Sequence, residues 1–243
     1  MGTSLGTSLT AEVAAVTISA VLLGSYFALM ELALRKRPLH TMRGIMRAAR
    51  RSWVEAMLGK GMLPVNTLRD LIRSCQFFAS SSLAGAASAA GFVASMTEQA
   101  DGGLLRFKVI CFAISCGVTF LFFMQSTRYY THVGILINTP DVEGHPVTVE
   151  LVNRVVKRAA DGWANGMNSF LVALPILLWT MGPAYLVVAS VLVILLLRTV
   201  ECESFEVQLG ERAPISREAS DLQAMVPAQQ QPSDHVRRPS QLE

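Results

Sequence analysis

Apolar residues fall in long uninterrupted blocks along this chain, not in the mixed pattern of a water-facing domain. Positions 162–197 carry no Asp, Glu, Lys or Arg over 36 residues, positions 74–97 none over 24, and positions 109–127 none over 19. A further apolar run extends from about Val13 to Leu34, interrupted by Glu31 near its far end. An apolar, charge-free stretch of about 18 or more residues predicts a helix that crosses a bilayer. The pattern therefore predicts an all-α, polytopic transmembrane bundle with spans at about 13–34, 73–96 and 109–127, followed by the last block.

The length of that last block needs a decision. As one helix, 36 residues would extend about 54 Å, against a hydrocarbon core about 30 Å thick. Gly182-Pro183 stands at its middle, flanked by Trp179 and Tyr185. Glycine suits the position after a helix and proline the first position of the next. Aromatic residues gather where a helix reaches the headgroups. Gly182 and Pro183 are thus read as a helix break. The preferred reading has five spans, the last two a hairpin of about 163–181 and 183–198; the alternative has four, with one kinked last helix.

Between the blocks, two segments read as interfacial amphipathic helices. Ile45, Ala49, Trp53 and Met57 recur every four residues, with Arg43, Arg47, Arg50 and Arg51 on the other side. From Thr148 to Ala160, Val152, Val155 and Val156 share one face, with Arg154, Lys157 and Arg158 on the rest. Residues 1–12 read as a short polar arm, residues 13–200 as the bundle, and 201–243, with Gln229-Gln230-Gln231 and with Pro227, Pro232 and Pro239, as a disordered tail.

Charge orients this layout. The segment 35–73 holds ten basic residues opposed only by Glu55 and Asp70, a net +8, whereas the first 34 residues contain no Lys or Arg. Basic loops stay on the cytoplasmic side, so residues 35–73 are expected there and the N-terminus opposite. No transit peptide is read from the sequence, so a plasma membrane or endomembrane is the expected location. The whole chain carries only +3, too little to imply nucleic acid. A basic amphipathic helix lies naturally among headgroups, and each basic residue near an anionic leaflet contributes about 1 kcal/mol. Arg43, Arg47, Arg50 and Arg51 are therefore the candidate contacts for anionic phospholipid.

The second span is rich in small residues. Ser81, Gly85 and Ala89, together with Gly91, predict close helix packing, because association in lipid depends on near approach of backbones. The expected contact is within one subunit; contact with a second copy, a homo-oligomer, is the alternative.

Little chemistry is written into the chain. Cys75, Cys111 and Cys116 lie in or beside apolar blocks without metal-ligand spacing, and His132 and His145 read as plain loop residues. No HExxH or Walker pattern occurs, and no carboxylate pair lies inside a span. No catalytic residue, metal ligand or cofactor site is expected. Glu31 lies four residues before Arg35, a spacing that predicts an ion pair. Asn165 and Asn168 are expected to hydrogen-bond between helices.

Several segments resemble one family. Arg35-Lys36-Arg37-Pro38-Leu39-His40-Thr41 resembles the R-x-x-P-x-x-T that follows the first span in the family catalogued as domain of unknown function 599. The likeness continues at 48–54, at Val65-Asn66-Thr67-Leu68-Arg69-Asp70, at 134–140, and at 173–179 with Gly182-Pro183. The family commonly has Gln where Asn66 stands and Asn where Asp70 stands. The resemblance implies a multi-pass membrane protein of a kind found in plants and bacteria. It carries over no activity and no catalytic residue. The expectation is a non-enzymatic structural, scaffold or anionic-lipid-interacting membrane protein; the alternative is an oligomeric small-solute or anion channel or transporter.

Overall fold

The computed structural model describes residues 2–36, 42–58, 62–96, 103–139 and 148–201. Residues 202–243, which include the segment read as a tail, lie outside them, as does His145. The described residues form six helices: α1 (Gly2–Lys36), α2 (Met42–Met57), α3 (Met62–Ser95), α4 (Gly103–Leu136), α5 (Val149–Trp179) and α6 (Pro183–Glu201). Three of them are long and apolar enough to cross a membrane, over Leu9–Lys36, Pro64–Ser95 and Gly103–Leu136; Pro183–Thr199 is apolar but shorter. Among the described residues there are no strands.

The helices are longer than the apolar blocks. Helix α1 begins at Gly2, inside the segment read as a polar arm, and α4 begins at Gly103, ahead of the span expected at about 109–127. The basic amphipathic stretch 148–160 and the following span form one continuous helix, α5. Thr148 caps it, its hydroxyl accepting the Leu151 N–H at 3.2 Å. Gly162 and Gly166 lie inside α5 and admit α4: a Cβ on Gly162 would lie 3.3 Å from Ser126, and one on Gly166 would lie 2.9 Å from the Phe123 ring.

Helix α4 is central, packed against α3 on one side and α5 on the other; α6 packs on α5 and α1, and α2 on α5. The main core joins Cys75 and Ala79 of α3, Phe123, Tyr130 and Val133 of α4, and Val152, Val156 and Ala159 of α5. It also takes in Val54 of α2. At its centre Phe78 stacks on Phe123 and meets Phe170 edge-on. Beside it, Cys75 donates to Ser126 Oγ at 3.6 Å and Ser126 donates to the Ala159 carbonyl at 2.7 Å, tying three helices at one level.

The exterior is apolar. Val21, Phe77, Leu121 and Val188 all stand exposed. Such a surface is normal against lipid and costly against water.

Candidate functional site

Helix α2 is held on the protein by its apolar side. Val54 is fully buried, Gly44 is buried, and Trp53 and Met57 pack on the main core. The buried stripe differs from the expected row in one respect: Ala49 is exposed and Val54 takes the centre. A strict four-residue repeat drifts around a helix of 3.6 residues per turn, so the row read from sequence leaves the contact face.

This placement divides the four arginines. Arg43 donates to Asn168 Oδ1 on α5 at 2.9 Å. Arg47 lies 3.8 Å from Asp161, also on α5. Arg50 is half-buried, and burial lowers its pKa below the ordinary arginine value; nearby Tyr130 and Asp161 act in the opposite direction. Arg51 points outward and pairs with Glu55 at 3.3 Å.

Arg47, Arg50 and Arg51 line one wall of a cavity of about 660 Å³ between α2 and the first turns of α5. Arg154 and Lys157 line the other, with Asn153, Glu55 and Glu150. Arg154 is paired with Glu150 at 2.6 Å.

A second cavity, of about 540 Å³, opens between α1 and the α4–α5 pair. Its polar lining is Glu31, Arg43, Ser115, Asn165, Asn168 and Ser169. The expected pair between Glu31 and Arg35 is present at 3.1 Å. Asn168 bonds between helices, to Arg43.

A third polar cluster lies at the other end of the bundle and was missed from sequence. Lys108 Nζ of α4 is 2.7 Å from Glu12 Oε1 of α1, and both side chains are buried. Trp179 Nε1 of α5 donates to Glu12 Oε2 at 2.6 Å. The ammonium sits 5.3 Å from the Trp179 ring centroid, and Phe107 meets that ring edge-on. The sequence shows only that Glu12 and Lys108 each directly adjoin an apolar block, on the same expected side of the membrane.

The small residues of α3 also divide. Gly85 faces α4, where an added Cβ would lie 3.3 Å from Cys116 Sγ, and Ala89 is buried. Ser81 is exposed, and Gly91 is exposed with nothing within 4 Å of an added Cβ. At the far end, α5 stops at Trp179 and α6 starts at Pro183, with Gly182 between them at φ +154°, a conformation that side chains with a Cβ rarely adopt. Among the described residues no three His, Cys, Asp or Glu side chains converge as a metal site.

Residues 14–205 match the family described as a protein of unknown function, DUF599. The chain belongs to that family. No curated protein matches the chain, and no solved structure does. The DUF599 segment includes α2 to α6 and both arginine-lined cavities; Glu12 lies just before it.

Proposed function

We propose that this DUF599 protein is a non-enzymatic, multi-pass membrane protein that holds anionic phospholipid at its cytoplasmic face. Five segments cross the bilayer, with α5 and α6 forming the last hairpin. The arginine end faces the cytoplasm and Glu12 the opposite side.

The observation that carries this reading is the level at which α2 is anchored. Arg47 meets α5 at Asp161, the last charged residue before the 36-residue apolar block. The arginine helix is thus fixed at the boundary of the apolar region, beside its exposed apolar exterior. There its cations face headgroup phosphates, and the attraction weakens with salt.

The test is reconstitution of the full chain in mixed vesicles, with enrichment of spin-labelled phosphatidylserine over phosphatidylcholine at the protein surface. Wild type is expected to enrich the anionic lipid, less so at high salt. Replacing Arg43, Arg47, Arg50 and Arg51 together by Gln is expected to abolish the enrichment. Equal enrichment in the variant overturns the reading.

The polar crevice lined by Glu31, Arg43, Asn165 and Asn168 favours a second reading, an oligomeric pathway for small anions. Liposome flux with the purified chain tests it, and absence of flux over a panel of anions rejects it.

A further inference from the structure

The cavity between α2 and α5 is more selective than a basic surface. Five cations line it: Arg47, Arg50, Arg51, Arg154 and Lys157. Three have a carboxylate partner. Arg51 is paired with Glu55, Arg154 with Glu150, and Arg47 with Asp161. Arg50 and Lys157 have no ion pair to any described residue. Arg50 is also half-buried, so its guanidinium has given up part of its water, and the carboxylate that acts on it, Asp161, forms its ion pair with Arg47. Five cations against Glu55, Glu150 and Asp161 leave two positive charges in excess, and the two cations without an ion pair stand one on each wall.

Its shape agrees with that count. A volume of about 660 Å³ is in the range of small-ligand sites. Val149 and Glu150, in the first turn of α5, also line it, so the positive end of that helix adds to the field. The Asn153 amide adds a neutral donor.

We infer that this cavity binds a phosphomonoester group, with Arg50 and Lys157 supplying the two charges that its dianion requires. A phosphomonoester carries about −1.5 to −2 at neutral pH and three acceptor oxygens. A phosphodiester headgroup carries a single charge and leaves one of the two cations unmatched. The planar guanidinium takes two oxygens side by side, and the ammonium takes the third as a point charge. This inference rests on the anionic-lipid reading and narrows it to one headgroup chemistry. The group can belong to a lipid, as in phosphatidic acid, or to a soluble phosphate ester.

The test is native mass spectrometry of the detergent-solubilised full chain, titrated separately with phosphatidic acid and phosphatidylglycerol of the same acyl chains. Phosphatidic acid is expected to bind about tenfold more tightly, the difference one additional charge-assisted contact makes. Arg50→Gln and Lys157→Gln are each expected to bring the ratio close to one. Arg158→Gln, on α5 but outside the lining, is expected to leave it unchanged. Lys157 is exposed, so its variant keeps the test decisive should Arg50→Gln fail to fold.

Glycerol 3-phosphate, added as competitor, separates the sources. Displacement at a concentration comparable to the lipid's identifies a soluble ester as ligand. Displacement only at large excess identifies the lipid. Either result supports the phosphomonoester site. Equal affinity for the two lipids in wild type overturns it while leaving general anionic-lipid binding intact. Binding of neither lipid overturns both. A preference for phosphatidic acid that survives both Gln variants also overturns the assignment.

Discussion

Glu12, Lys108 and Trp179 show how much a single buried contact can matter in an apolar bundle. The carboxylate has both oxygens engaged, one by the ammonium at 2.7 Å and one by the indole N–H at 2.6 Å. Removing one member of a buried pair strands the other, at a cost of about 3–5 kcal/mol. Lys108→Met is therefore expected to lower the melting temperature of the purified protein markedly, and Glu12→Gln with Lys108→Met to recover part of that loss. A double variant no more stable than Lys108→Met would show that the ion pair is not what the single change disrupts. Gly166 makes the complementary case. A methyl there must displace the Phe123 ring, and overpacking costs about 1–3 kcal/mol, whereas Gly91→Ala meets nothing. The two alanine variants are expected to differ in thermal stability by that amount. Neither contact was legible in the sequence. Glu12 and Lys108 are 96 positions apart, and no local pattern reports that two block-flanking charges will meet. The Glu31–Arg35 pair was legible, because its partners are one helical turn apart.

At the scale of the helix, local periodicity predicted existence and type better than facing. Helix α2 was legible as a basic amphipathic element, but the row through Ala49 was offset from the face that Val54 buries. In α3 the i, i+4, i+8 row through Ser81, Gly85 and Ala89 again drifted. Pro64, Leu68, Cys75, Ala79, Ser82 and Ala89 turn inward, at spacings compatible with steps of three and four, and Gly85 meets Cys116 while Ser81 does not turn inward. The join within α5 was missed because composition changes at Gly162 while the helix does not end; its glycines serve the approach of Ser126 and Phe123. These facings carry a prediction for α2. Val54→Asp places a carboxylate in the main core, so the helix should detach from α5 and expose its arginines. Limited trypsin digestion is expected to cut after Arg47, Arg50 or Arg51 much faster in that variant than in wild type. Unchanged cleavage would mean that Val54 is not what anchors the helix.

For the whole molecule, two buried polar networks that join helices mark two levels. One is the Cys75–Ser126–Ala159 relay and the other the Glu12–Lys108–Trp179 cluster. From Ala159 to Trp179, α5 rises about 30 Å, and from Lys108 to Ser126, α4 rises about 27 Å. Both distances approach the thickness of the hydrocarbon core, about 30 Å. The stretch between the levels is where the exterior is apolar, and α2 is fixed at the first of them. If the bilayer occupies that stretch, Arg51 and Met181 stand on opposite sides of it; both are exposed. The measurement is labelling by a membrane-impermeant thiol reagent of Arg51→Cys and Met181→Cys, in a chain whose four native cysteines are replaced by alanine or serine. In intact cells Met181→Cys is expected to react and Arg51→Cys only after permeabilisation. The opposite pattern would reverse the orientation, and labelling of both in intact cells would remove the bilayer from between them. The latter result would also overturn the proposed placement of the α2 cations beside cytoplasmic headgroups.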